Sequence, residues 1–395
     1  MFGVYVHWPF CLSKCIYCDF NSNVIQQKDV NNPELQKKYC ECCKKQIQYF
    51  SKKIQHNKYQ RKVSSIYFGG GTPSLLSPFT VSNIIKEIIN LLPLEENCEI
   101  TLEANPTSFE LEKFYHFHEI GINRISLGVQ SFDDNELSWL GRKHTSIQAI
   151  SAIKEIKNIF PYWNFDLIYG LPRQSINKWL EELKIAFSLD PQHLSLYTLI
   201  IDKNTPLGKM VQTGNIVAKT NDEMANFYNA TNKFISNIEK NKKIKQYEIS
   251  NYAIPSFESK HNCCYWDSYD YIGIGPMAHG RLTYNDEKKY EIICHNNIQK
   301  WFEDLEKKQN GLEIERSLSK QELVEEILLM GLRTTNGVNV KDIYKRFSID
   351  ITKYIDNNNV YALEKQNFLH FSNQVLKLTY SGAKILDTIL LKILK

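Results

Sequence analysis

Over its first 200 residues the chain alternates short β-rich runs with helical stretches, and that alternation restricts it to a small set of folds. The runs Phe2–Val6, Val63–Phe68, Glu99–Leu102, Arg124–Val129, Asn164–Ile168 and Leu194–Ile201 are rich in Val, Ile, Leu, Tyr or Phe and end near Gly, Pro, Asn or Asp, which predicts strands. Helical patterns lie between them at Val81–Leu92, Phe109–Glu119, Ile147–Ile156 and Lys178–Phe187. Strand starts fall roughly 25 to 61 residues apart, long enough for right-handed crossovers between parallel strands. Six parallel strands covered by helices make an α/β protein, either a curved sheet or an incomplete barrel. In such folds the chemistry sits past the C-terminal strand ends. Polar and glycine-rich groups do gather there: Cys11, Gly69 to Thr72, Glu103 to Pro106, Gln130 with Ser131, and Asp166 with Gly170 to Pro172.

Beyond residue 210 the pattern is less regular, and from 298 it becomes helical. Helices are expected at Ile298–Lys308, Lys320–Leu332 and Val340–Phe347, then a short β pair around Leu369–Leu376 and a last helix Ser381–Leu394. The expected division is a partial barrel over 1–210, an extension that completes it over 211–297, and a smaller, mainly helical, winged-helix-like domain over 298–395. There are no internal repeats.

Composition excludes several classes. Apolar residues make up 43% and charged residues 23%, ordinary for a folded chain. The net charge is +4, from 48 basic and 44 acidic residues, with no basic block interleaved with aromatics, so no nucleic-acid partner is expected. The longest apolar runs are short, and Ile389–Leu394 is broken by Lys392, so no membrane span is expected. The opening residues carry no basic n-region or small-residue cleavage site, which predicts a cytoplasmic chain. Its 10 cysteines then read as metal binding or catalysis rather than a disulfide framework.

Cys11, Cys15 and Cys18 have the spacing CxxxCxxC directly after the first strand. Three thiolates in eight residues can wrap one face of an iron–sulfur cluster, and a [4Fe–4S] cube held by three cysteines keeps one iron open. A zinc site with His7 as fourth ligand, or incidental loop thiols, are the alternatives; Trp8-Pro9 makes His7 an awkward partner. Cys40, Cys42 and Cys43 lie in a Lys- and Gln-rich segment and read as inert.

CxxxCxxC with Tyr17 before the last cysteine resembles the radical S-adenosylmethionine (SAM) superfamily. That resemblance implies an incomplete (β/α)6 TIM-like barrel whose open iron binds the SAM amino and carboxylate groups. It implies as well that one electron from the cluster cleaves the S–C5′ bond and releases a 5′-deoxyadenosyl radical. Phe68-Gly69-Gly70-Gly71-Thr72-Pro73 resembles the glycine motif of the superfamily.

Four further segments narrow the resemblance: Leu102–Pro106 (LEANP), Asn123–Phe132 (NRISLGVQSF), Leu140–Thr145 (LGRKHT) and Phe165–Pro172 (FDLIYGLP). They are similar to the oxygen-independent coproporphyrinogen III oxidase family and its HemW-type heme-chaperone branch. Carried over by position, the resemblance implies that Tyr5, Tyr17, Gly70, Gly71, Thr72, Glu103, Gln130, Arg142 and Asp166 line the SAM site.

The oxidase branch has a longer N-terminal extension and a further cysteine two residues after the triad, where this chain has Phe20. The chaperone branch carries HNxxYW, here His261-Asn262-Cys263-Cys264-Tyr265-Trp266. The resemblance thus implies a protein that binds a [4Fe–4S] cluster, SAM and heme, with His261 as candidate heme contact and Cys263 and Cys264 as open alternatives. Its partners would be acceptor hemoproteins, including membrane-bound respiratory enzymes. The competing readings are a coproporphyrinogen III dehydrogenase, which would be an enzyme of porphyrin biosynthesis, and a structural zinc-binding protein.

Overall fold

Strands form where the sequence places its continuous apolar runs, as expected when both faces of a parallel sheet are covered. The computed structural model describes residues 1–55, 61–107, 111–242, 244–307 and 310–395. Phe2–Trp8, Val63–Gly70, Leu94–Ala104, Arg124–Gln130, Tyr162–Tyr169 and His193–Thr198 lie side by side in that order, all parallel. In Phe2–Trp8 every side chain is buried except that of Tyr5, which keeps partial exposure to the lumen. Helices Pro78–Leu91, Ser146–Ile159 and Ile176–Ser188 cover the outside, each opened by a side-chain cap, from Ser77, Thr145 and Ser175. Of the expected Phe109–Glu119 helix, Phe114–Glu119 is formed and its start lies outside the described residues, as does Lys308 at the end of another.

Among the described residues the sheet has twelve strands rather than six. Asn251–Ala253 and Lys245–Glu248 extend it antiparallel beyond His193–Thr198. At the opposite edge Asp270–Ile274 joins parallel to Phe2–Trp8, followed by antiparallel His279–Thr283, Lys289–Cys294 and Leu312–Ser317. The segment after residue 210 thus builds both flanks of the partial barrel. The 23-residue helix Pro33–Gln55 buries Tyr39, Cys43, Ile47, Phe50 and Ile54 at helical spacing against the same core, with Cys40 and Cys42 buried beside them.

Helix Ile298–Lys307 also belongs to this core through Trp301, Phe302 and Leu305, so it sits with the barrel and not with the C-terminal unit. A second core, against which Ile249 and Leu318 also pack, holds helices Lys320–Gly331, Val340–Phe347, Asn357–Lys365 and Leu386–Ile393. The three-stranded sheet Val338–Asn339, Val375–Leu378, Leu369–Ser372 completes a winged-helix-like arrangement. The last helix is split, as Tyr380–Ala383 and Leu386–Ile393. Among the described residues no helix is long and apolar enough to cross a membrane.

Candidate cofactor-binding site

The three cysteines lie on a loop that leaves the C-terminal end of the first strand and is anchored on several sides. The Ile25 and Asn23 amides donate to the Cys11 and Pro9 carbonyls at 2.9 and 2.7 Å. The Leu207 amide donates to the Ile16 carbonyl at 2.9 Å, and Ile16 and Tyr17 pack on Leu140, Ile168, Leu171, Leu199 and Leu207. His7 reaches back from the strand, its Nε2 3.0 Å from the Asn21 carbonyl oxygen and its Nδ1 3.1 Å from the Tyr5 hydroxyl. With both ring nitrogens so engaged, His7 braces the loop rather than offering a ligand.

Cys11, Cys15 and Cys18 all keep partial exposure. The Thr72 hydroxyl donates to Cys11 Sγ at 3.5 Å, and Arg142 Nη1 donates to Cys15 Sγ at 3.6 Å. Burial pushes the Cys18 thiol up; Lys14 opposes this, and Cys11 and Cys15 add to it, so the three sulfurs feel one another. Among the described residues no three His, Cys, Asp or Glu side chains stand close enough to hold one metal ion. A cubane, by contrast, grips its cysteines at separate corners and asks only for soft donors. The set present fits a three-thiolate cluster.

The neighbouring strand ends build the rest. The Gly71 amide donates to the Trp8 carbonyl at 2.7 Å and the Thr72 amide to the Phe10 carbonyl at 2.9 Å, pinning the glycine turn to the strand that leads into the cysteines. Gly70 has φ +108°, and a Cβ there would lie 2.6 Å from the His7 ring. Only glycine suits that position. The Gly70 amide donates to Glu103 Oε2 at 3.2 Å, and the Tyr67 hydroxyl to Glu103 Oε1 at 2.8 Å.

Gln130 carries a positive φ, 74°, at a bulge between the fourth and fifth barrel strands. A Cβ on Gly128 would stand 3.0 Å from the Gln130 amide nitrogen and 3.4 Å from Arg142, so its absence makes room for both. Arg142 Nη2 donates to Asn105 Oδ1 and to the Gly128 carbonyl, each at 2.6 Å. Asp166 follows on the next strand, accepting from Asn164 Nδ2 at 3.3 Å.

Burial dominates the titration behaviour of the lumen's carboxyl groups. Burial, helped by Asp166, pushes Glu103 up to about 7 against the hydrogen bonds from Tyr67 and Gly70. Burial pushes Asp166 up to about 6, with Ser195, Asn164, Ser126 and Arg142 opposing. Tyr5 and Tyr17 are held above the ordinary tyrosine range by burial.

All the residues expected to line the SAM site therefore gather at one end of the barrel. His261, expected as a heme contact and not as part of that set, is on a different element. It lies beneath the lumen on helix Lys260–Trp266 and is 1% exposed. Its Nδ1 stands 2.8 Å from Ser65 Oγ and its Nε2 2.5 Å from the Tyr265 hydroxyl, so meeting heme iron would require breaking one of these bonds. Burial pushes both Cys263 and Cys264 up to about 12. Sequence reasoning missed Tyr67, and it named Asn105 only as part of the LEANP segment, without a role. Tyr67 alternates with Ser65 and Gly69 on one strand face, and that period-2 placement was the available signal.

A partial α/β barrel with a three-cysteine loop and a glycine turn at its C-terminal mouth is the architecture of a radical SAM protein. The sequence profile of the radical SAM superfamily matches residues 5–186, and that of the HemN C-terminal domain matches 318–383. The bovine protein named radical S-adenosyl methionine domain-containing protein 1, mitochondrial, is 32% identical over 402 residues, covering 99% of this chain and 87% of its own. Heme chaperone HemW of Escherichia coli is 36% identical over 285 residues, covering 72% of this chain and 71% of its own. The chain belongs to this HemW-like family of radical SAM proteins, whose resident groups are a [4Fe–4S] cluster and SAM. The solved structure of E. coli coproporphyrinogen III oxidase shares its fold, with a TM-score of 0.79 over 99% of this chain and 89% of that one, at 19% identity.

Proposed function

We infer that this chain is a heme chaperone: it binds heme alongside a cluster and SAM and passes the heme to acceptor hemoproteins. The mouth of the barrel, where three cysteines, the Gly70 turn, Glu103, Arg142 and Asp166 converge, supports the cluster and SAM; exposed Phe20 on the cysteine loop is the observation that favours the chaperone. The chaperone function is supported by HemW relatives at this level of identity. Cys11, Cys15 and Cys18 would hold the cluster, and Tyr5, Tyr17, Gly70, Gly71, Thr72, Glu103, Gln130, Arg142 and Asp166 would line the SAM cavity. When bound, cluster and SAM together supply one-electron reductive cleavage chemistry.

The protein's own part is binding and orientation. Glu103 and Asp166 offer carboxylate oxygens to ribose hydroxyls or to the ligand's positive charge. Arg142 sets Asn105 and stands against Cys15, its positive charge offsetting the negative charge of the cysteine thiolates. Tyr5, Tyr17 and Tyr67 wall the cavity with neutral hydroxyls and exclude water.

Phe20 is 64% exposed on the cysteine loop, at the position where the oxidase branch is expected to have a further cysteine. This favours the chaperone over coproporphyrinogen conversion. The acceptors we propose include membrane-bound respiratory enzymes. The compartment we propose is the cytoplasm, although the relatives include proteins named as mitochondrial; cell fractionation decides between the two.

Anaerobic reconstitution tests the whole reading. The chain is expected to take up about four iron and four sulfide, to bind hemin with a sharp Soret band and to release it to an apo-hemoprotein. Cys15→Ala should lose the cluster while keeping hemin. Conversion of coproporphyrinogen without heme transfer would replace this reading with the oxidase.

A further inference from the structure

The HNxxYW helix stands under the SAM cavity, with its histidine pointing at the tyrosines that wall it. We propose that His261 and Tyr265 are positioning residues of the SAM site, an inference that rests on the SAM cavity assigned above. The His261 ring stacks on Tyr67, with centroids 4.9 Å apart and planes 19° apart, and on Tyr5 at 6.2 Å and 26°. Its two nitrogens are fixed by Ser65 and by Tyr265, so a neutral imidazole donates at one and accepts at the other. Tyr67 in turn donates to Glu103, whose second oxygen accepts from the Gly70 amide. The chain of contacts therefore runs from helix to imidazole to Tyr67 to Glu103 to the glycine turn. A buried network of this kind is rigid when every member is satisfied and loosens when one is removed.

The helix is itself locked in place. The Lys260 and His261 amides donate to the Glu99 carboxylate at 3.3 and 3.2 Å. Glu99 is paired with Arg124 at 2.8 Å, and both are almost wholly buried. The Asn262 amide donates to Ser259 Oγ at 3.3 Å. On its other side the helix end meets the C-terminal unit, where Arg346 donates to the Asp267 and Ser268 carbonyls at 2.8 and 2.7 Å. Nothing in this frame leaves the ring free to swing, so its stacking and its two bonds set the orientation of Tyr67 and Tyr5.

The test uses the reconstituted full chain with His261→Phe, which keeps a ring in the stack and loses both bonds, and Tyr265→Phe, which removes one hydroxyl. SAM affinity is read from the SAM-induced change in the electron paramagnetic resonance of the reduced cluster. Hemin affinity is read by Soret titration, and exchange of the Gly69 to Thr72 amides is followed without SAM. Both variants should keep about four iron. SAM affinity should fall about tenfold in His261→Phe and about threefold in Tyr265→Phe, with faster exchange at Gly70 and unchanged hemin affinity. A purely structural role would lower stability without moving the SAM-induced signal.

Unchanged SAM affinity in both variants overturns the proposal. Loss of hemin affinity with SAM affinity retained also overturns it and assigns the imidazole to iron. Should His261→Phe fail to hold its cluster, Tyr265→Phe decides on the same readouts. Wild-type protein that binds no SAM refutes the cavity assignment and this proposal together, whereas wild-type binding with unaffected variants refutes this proposal alone.

Discussion

SAM affinity should depend on pH through Glu103, and Glu103→Gln should remove most of that dependence. Glu103 sits at about 7 because burial and Asp166 both disfavour its charge. A raised carboxyl pKa means that the ionised form is lost as pH falls through about 7, well above the ordinary carboxylate range. If the ligand's positive charge and ribose hydroxyls require the carboxylate, apparent affinity scales with the ionised fraction. That fraction is about one tenth at pH 6 and about nine tenths at pH 8, so affinity rises about tenfold, or ~1.4 kcal/mol. Asp166, at about 6, goes from half to nearly full ionisation over the same range and adds about a factor of two. The wild type should therefore bind about twentyfold more tightly at pH 8 than at pH 6, and Glu103→Gln about twofold more tightly. Titration calorimetry on anaerobic, cluster-loaded protein at pH 6, 7 and 8 measures this; the ligand's own amine titrates equally in both proteins and cancels in the comparison. An equal pH slope in wild type and variant would refute the reasoning, because the titrating group would then lie elsewhere.

Three further outcomes are expected. Arg124→Met should cost about 3–5 kcal/mol in urea unfolding, because it leaves Glu99 buried without its partner, and it should speed exchange of the 260–266 amides; a loss under ~1 kcal/mol, typical of a surface pair, would contradict the assigned burial. Gly70→Ala should destabilise by about 1–3 kcal/mol, since it forces a side chain into positive φ and against the His7 ring, and should weaken SAM binding while iron content stays the same. Cys263→Ser and Cys264→Ser should leave the hemin Soret band in place, because thiols held at about 12 stay protonated at neutral pH and make poor iron ligands; a shifted band would show thiolate ligation.

The barrel strands were legible because each is a continuous apolar run, and the site residues because they follow those runs directly. The missed elements lack one or other local signal. Helix Pro33–Gln55 is rich in Lys and Gln, and its apolar stripe runs through cysteines and a tyrosine, which dilutes its periodicity. Asp270–Ile274 is a five-residue strand whose pairing partner is the N-terminal strand, so nothing in its own neighbourhood announces it. The same holds for the site's deeper layer. His261 meets Ser65, 196 residues earlier, and Arg142 meets Asn105, 37 residues earlier. Such contacts are set by strand register, which a motif records only as an unexplained residue. In the HNxxYW motif the family resemblance implies a heme contact for the histidine, and only the packing places that ring against Tyr67 and Ser65.

The electrostatics of the lumen state what kind of ligand the mouth can take. Burial holds Glu103 and Asp166 above the ordinary carboxylate range, and Glu103 is raised further by Asp166. Three cysteine sulfurs lie at the same mouth, and Arg142 is already engaged by Asn105, the Gly128 carbonyl and Cys15. Such a site is under electrostatic strain when its acids ionise, and it relaxes when a cation enters. A sulfonium supplies that charge, and its ribose hydroxyls supply donors for the remaining oxygens. An anionic ligand placed against the same carboxylates would raise both pKa values further and bind more weakly as pH rises. The direction of the pH dependence thus separates a sulfonium-binding mouth from one built for a carboxylate-rich porphyrin, before any product is assayed.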